Sequence, residues 1–333
     1  DSSIGASHYN SIAIDSNKNS HIVWEEYRDG NSEIYYNKLD KNGRILIHNK
    51  RITNNIYNSK NPSISIDLPN NLHAVWQDDR DGNREIYYSR LDSNGNTLID
   101  NKRITANTFN SENPIVLVDE NEHINILWLD DREGNFNIYY KKLDNKGNFI
   151  VSDKKLTSGV VVDFDASLKT NVTGVVYQSL INEIFYLRTD NNGNVAANKK
   201  IADGSMPSLT LTNNAEILLT NAQNNIGSLR IDFYGNIISN ITQLTSSGTA
   251  SNPDITSDSN NNLHITWEDS RFRQNDLFYI KLGANGNILK SEVKITDNAT
   301  NAASPSIAVG SVNIIYQDAK QTDEIFLKTS SFD

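Results

Sequence analysis

The chain contains no cysteine among its 333 residues and only one methionine. Disulfides, thiolate metal sites and thiol nucleophiles are thereby excluded. No apolar run reaches the length of a membrane-spanning helix, so membrane insertion is not expected. No leader segment is recognisable, although a mature chain would have lost one. Basic residues are outnumbered, with Lys plus Arg at 31 against Asp plus Glu at 41, a net charge of −10. That balance argues against a nucleic-acid partner, which calls for a clustered basic face. Alanine is scarce while Asn, Ser, Thr, Ile and Asp abound, a composition that favours strands and turns over helices. No stretch shows a sustained helical period.

What is present is a repeat. The segment Asn70–Asn94, NNLHAVWQDDRDGNREIYYSRLDSN, returns in close copies near residues 17–42 and 121–146 and in a worn copy near 260–285. Trp24, Trp76 and Trp128 are 52 residues apart, Tyr177 follows 49 later, and Trp267 and Tyr316 are again 49 apart. The 90 residues between Tyr177 and Trp267 hold two short units, one of them degenerate (Ser208–Thr212, Glu216–Thr220, Ser228–Asp232). The count is seven, with approximate bounds 1–53, 54–105, 106–157, 158–202, 203–245, 246–296 and 297–333 within one domain, 1–333.

Each unit reads as four short strands. In the second they are expected at Ser63–Asp67, Leu72–Gln77, Glu85–Asp92 and Thr97–Thr105, bounded by Asn, Asp, Gly or Pro. Glycine recurs in the turn after the third strand, at 43, 95, 147, 193, 235 and 286, four times after Asn, the pairing that suits a tight hairpin. Seven four-stranded antiparallel units define an all-β fold, a seven-bladed β-propeller. By the same register the chain begins after a fourth strand and ends after the third strand of unit seven. The last blade is expected to be closed by residues 1–6, to stay three-stranded, or to take a strand from another chain, which would mean self-assembly.

The sharpest motif is W-x-[DE]-x-R-x-G-N-x-E-I-Y-Y, built on Trp24 and Arg28, Trp76 and Arg80, Trp128 and Arg132, and in part on Trp267 and Arg271. A residue copied into most units serves every unit, so the four tryptophans with Arg28, Arg80 and Arg132 are read as structural, with the acids of the hairpin tip pairing to Arg. The other reading is a calcium site of Asp78, Asp79, Asp81, Asp130 and Asp131, because oxygen-rich loops suit that ion. Otherwise no cofactor is expected. His21, His73 and His264 lie one per unit, too dispersed for a single zinc shell, and read as hydrogen-bonding groups at strand starts.

Function that acts once belongs where the repeat breaks. The irregular loop-side positions are Gln178, Asn221, Arg271, Arg273, Gln317, Asp318 and Lys320, the candidates for binding. No nucleophile elbow, HExxH or phosphate loop is present. The repeat W-x-D-D-R-D-G-N-x-E-I-Y-Y-x-K-L-D-x-N-G resembles the propeller repeats of secreted and cell-surface proteins of archaea and bacteria. The resemblance implies a secreted or surface location and an adhesion, recognition or assembly role toward protein or glycan, and it carries no catalytic residue. The competing expectation is a glycan-active hydrolase or lyase with acids at the channel mouth, distinguished by repeat-breaking carboxylates and arginines converging on one pocket.

Overall fold

The computed structural model describes residues 6–28, 30–220, 223–296, 301–310, 312–318 and 324–330, and every element among them is a strand. Six antiparallel sheets have four strands each, in chain order, over residues 6–51, 59–103, 111–155, 161–203, 205–243 and 250–294; the seventh, over 302–330, has three. The fold is the expected seven-bladed β-propeller with a three-stranded last blade. Of residues 1–6, expected as one way of closing that blade, Ala6 begins the first strand of blade 1, paired with Tyr27, and 1–5 lie outside the described residues.

The chain divides into two compact units, residues 1–159 with 321–326, and residues 160–320 with 327–333. Blades 1 to 3 lie in the first and blades 4 to 6 in the second. Within each, the first strand of a blade packs on the first strand of the next. A blade is apolar on both faces, so burial is achieved only between blades. In the first unit Val23, Ile34 and Tyr36 of blade 1 pack against Ile64, Leu72, Trp76 and Leu91 of blade 2. In the second, Val176, Ile184 and Tyr186 of blade 4 meet Leu209, Ala215, Ile217 and Ile231 of blade 5. Each fully buried aliphatic side chain contributes about 1.5–3 kcal/mol.

Blade 2 has strands Ser59–Ile66, Leu72–Asp78, Glu85–Leu91 and Thr97–Arg103. Its first strand begins four residues before the expected Ser63. The pairing slips between Lys60 and Ser63, and Asn61 takes a positive φ of 50°. This bulge carries the strand through Pro62, which has no N–H to give a ladder. The same device recurs at Asn113, Asn252 and Ser304, each one residue before a proline.

Turns explain the repeated polar residues. Gly95 has a φ of 82° and donates its N–H to Asp92 O, while the Asp92 carboxylate accepts from the N–H groups of Asn94 and Asn96. The other turn at the same end is capped alike: Asp67 accepts from Asn71 N–H at 2.6 Å. Its second oxygen receives His73 Nε2 at 3.1 Å, and His73 Nδ1 meets the Tyr88 hydroxyl at 2.8 Å. His21 and His264 repeat the arrangement with Tyr36 and Tyr279, and blade 3 replaces the imidazole by Asn125. The histidines are the strand-start hydrogen bonders expected.

Candidate functional site

At the opposite end of the blades lie the second-to-third-strand hairpins and the loops between blades. Trp76 Nε1 donates to Asp78 Oδ2 at 3.1 Å, and Arg80 grips the same carboxylate through Nε at 2.7 Å and Nη2 at 2.5 Å. The guanidinium lies 4.3 Å over the Tyr87 ring. Blade 3 repeats this with Trp128, Asp130, Arg132 and Tyr139. In blade 1 Trp24 and Arg28 share Glu26, and in blade 6 Arg271 pairs with Asp269 over the Phe278 ring. Each acid is buried, which is tolerable only because its partners satisfy it. At Asp269 burial opposes the charge, but the donors Arg271, Thr249 and Ser247 outweigh it and bring the carboxyl down to about 2.

The other acids of these tips also have protein partners. Asp79 accepts from Asn58 N at 2.7 Å and Asp131 from Asn110 N at 2.7 Å, each fastening a hairpin to an interblade loop. Asp81 accepts the Tyr87 hydroxyl at 2.6 Å and pairs with Arg103. Among the described residues no three His, Cys, Asp or Glu side chains are grouped to hold a metal.

Of the irregular loop positions, Asn221 and Lys320 lie outside the described residues. Strand register places four others at repeated positions. Gln178 and Gln317 stand where Gln77 does, Asp318 where Asp78 does, and Arg271 where Arg80 does. Gln178 Oε1 accepts from Met206 N at 3.0 Å, and Gln77 Oε1 from Asn113 N at 3.0 Å. Glu25 and Glu268 reach Asn61 N and Ser304 N in the same way. This is a clamp from the second strand of one blade to the positive-φ bulge of the next. Blade 3 has Leu129 there, which offers no acceptor. Arg273 is exposed at the blade 6 tip with a φ of 77°, where blades 2 and 3 have Gly82 and Gly134.

Further candidate residues, outside the repeated motif and the irregular loops, lie on the first strands. Register aligns Ser11, Ser63, Ile115, Asp165, Ser208, Asp254 and Ser306 in one column, in which two carboxylates stand out. In blades 1 and 2 the serine hydroxyl accepts an N–H of the next first strand, from Ile64 and Val116. Asp165 and Asp254 do the same with Leu209 N and Ile307 N, both at 2.8 Å. They also converge: Ser208 Oγ lies 3.2 Å from Asp165 Oδ2 and 3.2 Å from Asp254 Oδ1. Both side chains are half-buried, with protein crowded round them. That desolvation lifts Asp165 to about 6; desolvation and then the charge of Asp165 lift Asp254 to about 7. The signal was available in the sequence as the residue following Pro62, Pro114, Pro207, Pro253 and Pro305. Of the two features that would mark a glycan-active pocket, carboxylates converge here, while Arg271 is held at its own hairpin.

The fold and its repeated contacts define the protein as a β-propeller. No family model matches the chain, and no curated protein matches it. Solved structures do. A protein of unknown function from Dyadobacter fermentans superposes with a TM-score of 0.57 at 10% identity, over 80% of this chain and 91% of that one. A mutant Trypanosoma rangeli sialidase displaying trans-sialidase activity gives 0.53 at 9% identity, over 79% of this chain and 52% of the other. The catalytic domain of a Coprinopsis cinerea GH62 α-L-arabinofuranosidase gives 0.41 at 10% identity, over 63% and 84%. At such identities the likeness to the first two is one of fold.

Proposed function

We propose that this chain is a non-catalytic recognition module of a secreted or cell-surface protein, binding protein or glycan through its hairpin-tip and interblade-loop end. The supporting observation is Leu180 and Ile181, 67% and 73% exposed at the blade 4 tip, where blades 2 and 3 carry charged residues and Gly. Phe272 is exposed at the blade 6 tip of the same unit, and in the first unit Ile56, Tyr57 and Phe109 are exposed on the interblade loops. Apolar and aromatic side chains held out by a rigid scaffold suit a binding surface. The test is retention of the chain on a glycan array and on intact bacterial cells, against a Leu180→Asp/Ile181→Asp variant of unchanged melting temperature. Loss of retention in the variant is expected. Equal retention, or none by the parent chain, overturns the reading.

A second reading, a glycan-active hydrolase or lyase, is favoured by one observation: Asp165 and Asp254 share the Ser208 hydroxyl and are raised toward neutrality. Paired carboxyls of differing proton affinity are the equipment of glycoside cleavage. Release of nitrophenol from aryl glycosides, abolished by Asp254→Asn, would establish it and displace the first reading.

A further inference from the structure

Blade 5 lacks a ring that its neighbours possess. Tyr36, Tyr88, Tyr140, Tyr186 and Tyr279 occupy one position on the third strands of blades 1, 2, 3, 4 and 6, each at most 1% exposed. In blade 5 the same register position is Ser228. Two further positions shrink beside it. Ile99 and Lys102 of blade 2 correspond to Ser239 and Thr242.

The neighbouring blade does not close the gap. Tyr36 packs with Leu72 and Leu91 of blade 2, whose counterparts in blade 6 are Leu263 and Leu282. A Cβ on Gly95 would come 3.8 Å from the Tyr36 ring, and one on Gly235 3.4 Å from the Tyr186 ring. Gly286, at the same turn of blade 6, would meet nothing within 4 Å. A recess of about 160 Å³ results, with Ser228, Leu263, Leu282 and Gly286 among its lining residues. An apolar cavity of about 150 Å³ is large enough for a benzene ring.

The recess also has a polar end. Glu216 holds the place of His73, which meets the tyrosine hydroxyl in blade 2. Glu216 is 3% exposed, and Arg230 Nε donates to its Oε1 at 2.5 Å. A buried carboxylate held by Arg is an acceptor for a further O–H donor.

We propose that the recess between blades 5 and 6 is a binding site for a small phenol. The ring lies where the other blades place a tyrosine ring, between Ser228 and the leucines, and the hydroxyl donates to Glu216. The site takes a phenol in preference to a plain arene because the arene leaves the carboxylate without that donor.

The test is titration of the full chain with p-cresol, followed by the NMR methyl signals of Leu263 and Leu282. Saturable shifts are expected, with toluene binding roughly tenfold more weakly. Ser228→Tyr supplies the ring covalently and is expected to abolish p-cresol binding; Ser228→Phe fills the same space and keeps the test decisive if the tyrosine variant does not fold. Absence of saturable shifts in the parent chain up to the solubility of p-cresol overturns the proposal. So does binding that persists in a folded Ser228 variant, and toluene binding equal to p-cresol overturns the assignment to a phenol.

Discussion

Asp165 and Asp254 stand on either side of a single hydroxyl, that of Ser208, at 3.2 Å each. A serine has one proton to donate and cannot serve two ionised carboxylates. A proton on Asp254 completes the chain, Asp254 donating to Ser208 and Ser208 to Asp165. Desolvation and the charge of Asp165, which lift Asp254 to about 7, act in the same sense.

A raised carboxyl stabilises the fold fully below its unfolded value near 3.8, and the contribution is lost as pH rises through about 7. Asp254→Asn, which carries an amide donor at every pH, removes that loss. The variant is expected to gain on the parent chain by roughly 2 kcal/mol, allowing for partial exposure, between pH 4 and pH 8. Urea unfolding at the two pH values measures it, and an unchanged difference would sink the shared-proton account.

His21 works in the opposite direction. Burial drives its pKa down to about 4, against the attraction of Asp15. Its contribution is present above the unfolded value of 6.5 and lost as pH falls toward 4. Blade 3 makes the same tyrosine contact with Asn125, so His21→Asn is expected to keep the Tyr36 hydrogen bond and to flatten the loss of melting temperature between pH 6.5 and pH 4. A loss as steep as that of the parent chain would show that another group sets it.

The hairpin-tip acids should depend on arginine rather than on an ion. Arg132→Leu leaves Asp130, at 0% exposure, without its charge partner and is expected to cost about 3–5 kcal/mol. Chelation of divalent cations is expected to leave the melting temperature of the parent chain unchanged. A fall on adding chelator, restored by calcium, would assign the loops to calcium instead.

Arg273 occupies a glycine's conformation, with a φ of 77° where Gly82 and Gly134 have 91° and 90°. Side chains with a Cβ adopt this region at a cost. Arg273→Gly is expected to stabilise by about 0.5–1 kcal/mol, set against the greater freedom of glycine in the unfolded chain. Destabilisation would mean that the arginine side chain makes a contact worth more than the strain.

The blades were legible in the sequence because one physical requirement, burial against a neighbour, is imposed repeatedly and writes the same residues each time. Trp76, Arg80 and Gly95 announce a hairpin and a turn wherever they recur. Strand bounds were less legible: the bulge at Asn61 lets a strand run through Pro62, against the usual effect of proline. The carboxylates at Asp165 and Asp254 were hidden for a related reason. Their column emerges only when seven first strands are set in register, and blade 4 has Phe164 where most others have proline. Gln178 and Gln317 looked irregular beside Gln77 because the residues that follow them in sequence differ, while the register position itself is kept. The vacancy at Ser228 depends on residues of the next blade and is invisible to a reading confined to one unit.

The clamps have a direction with a consequence for how the chain is made. Glu25, Gln77 and Glu268 each accept an N–H 36 residues further on, and Gln178 one 28 residues further on. As the polypeptide leaves the ribosome, the hairpin segment that carries the acceptor therefore emerges before its donor does. Within each unit a new blade can dock on one already formed, with partners separated by less than a full repeat. For a protein of strands alone this is a short-range assembly order, which limits the time that blade faces spend uncovered.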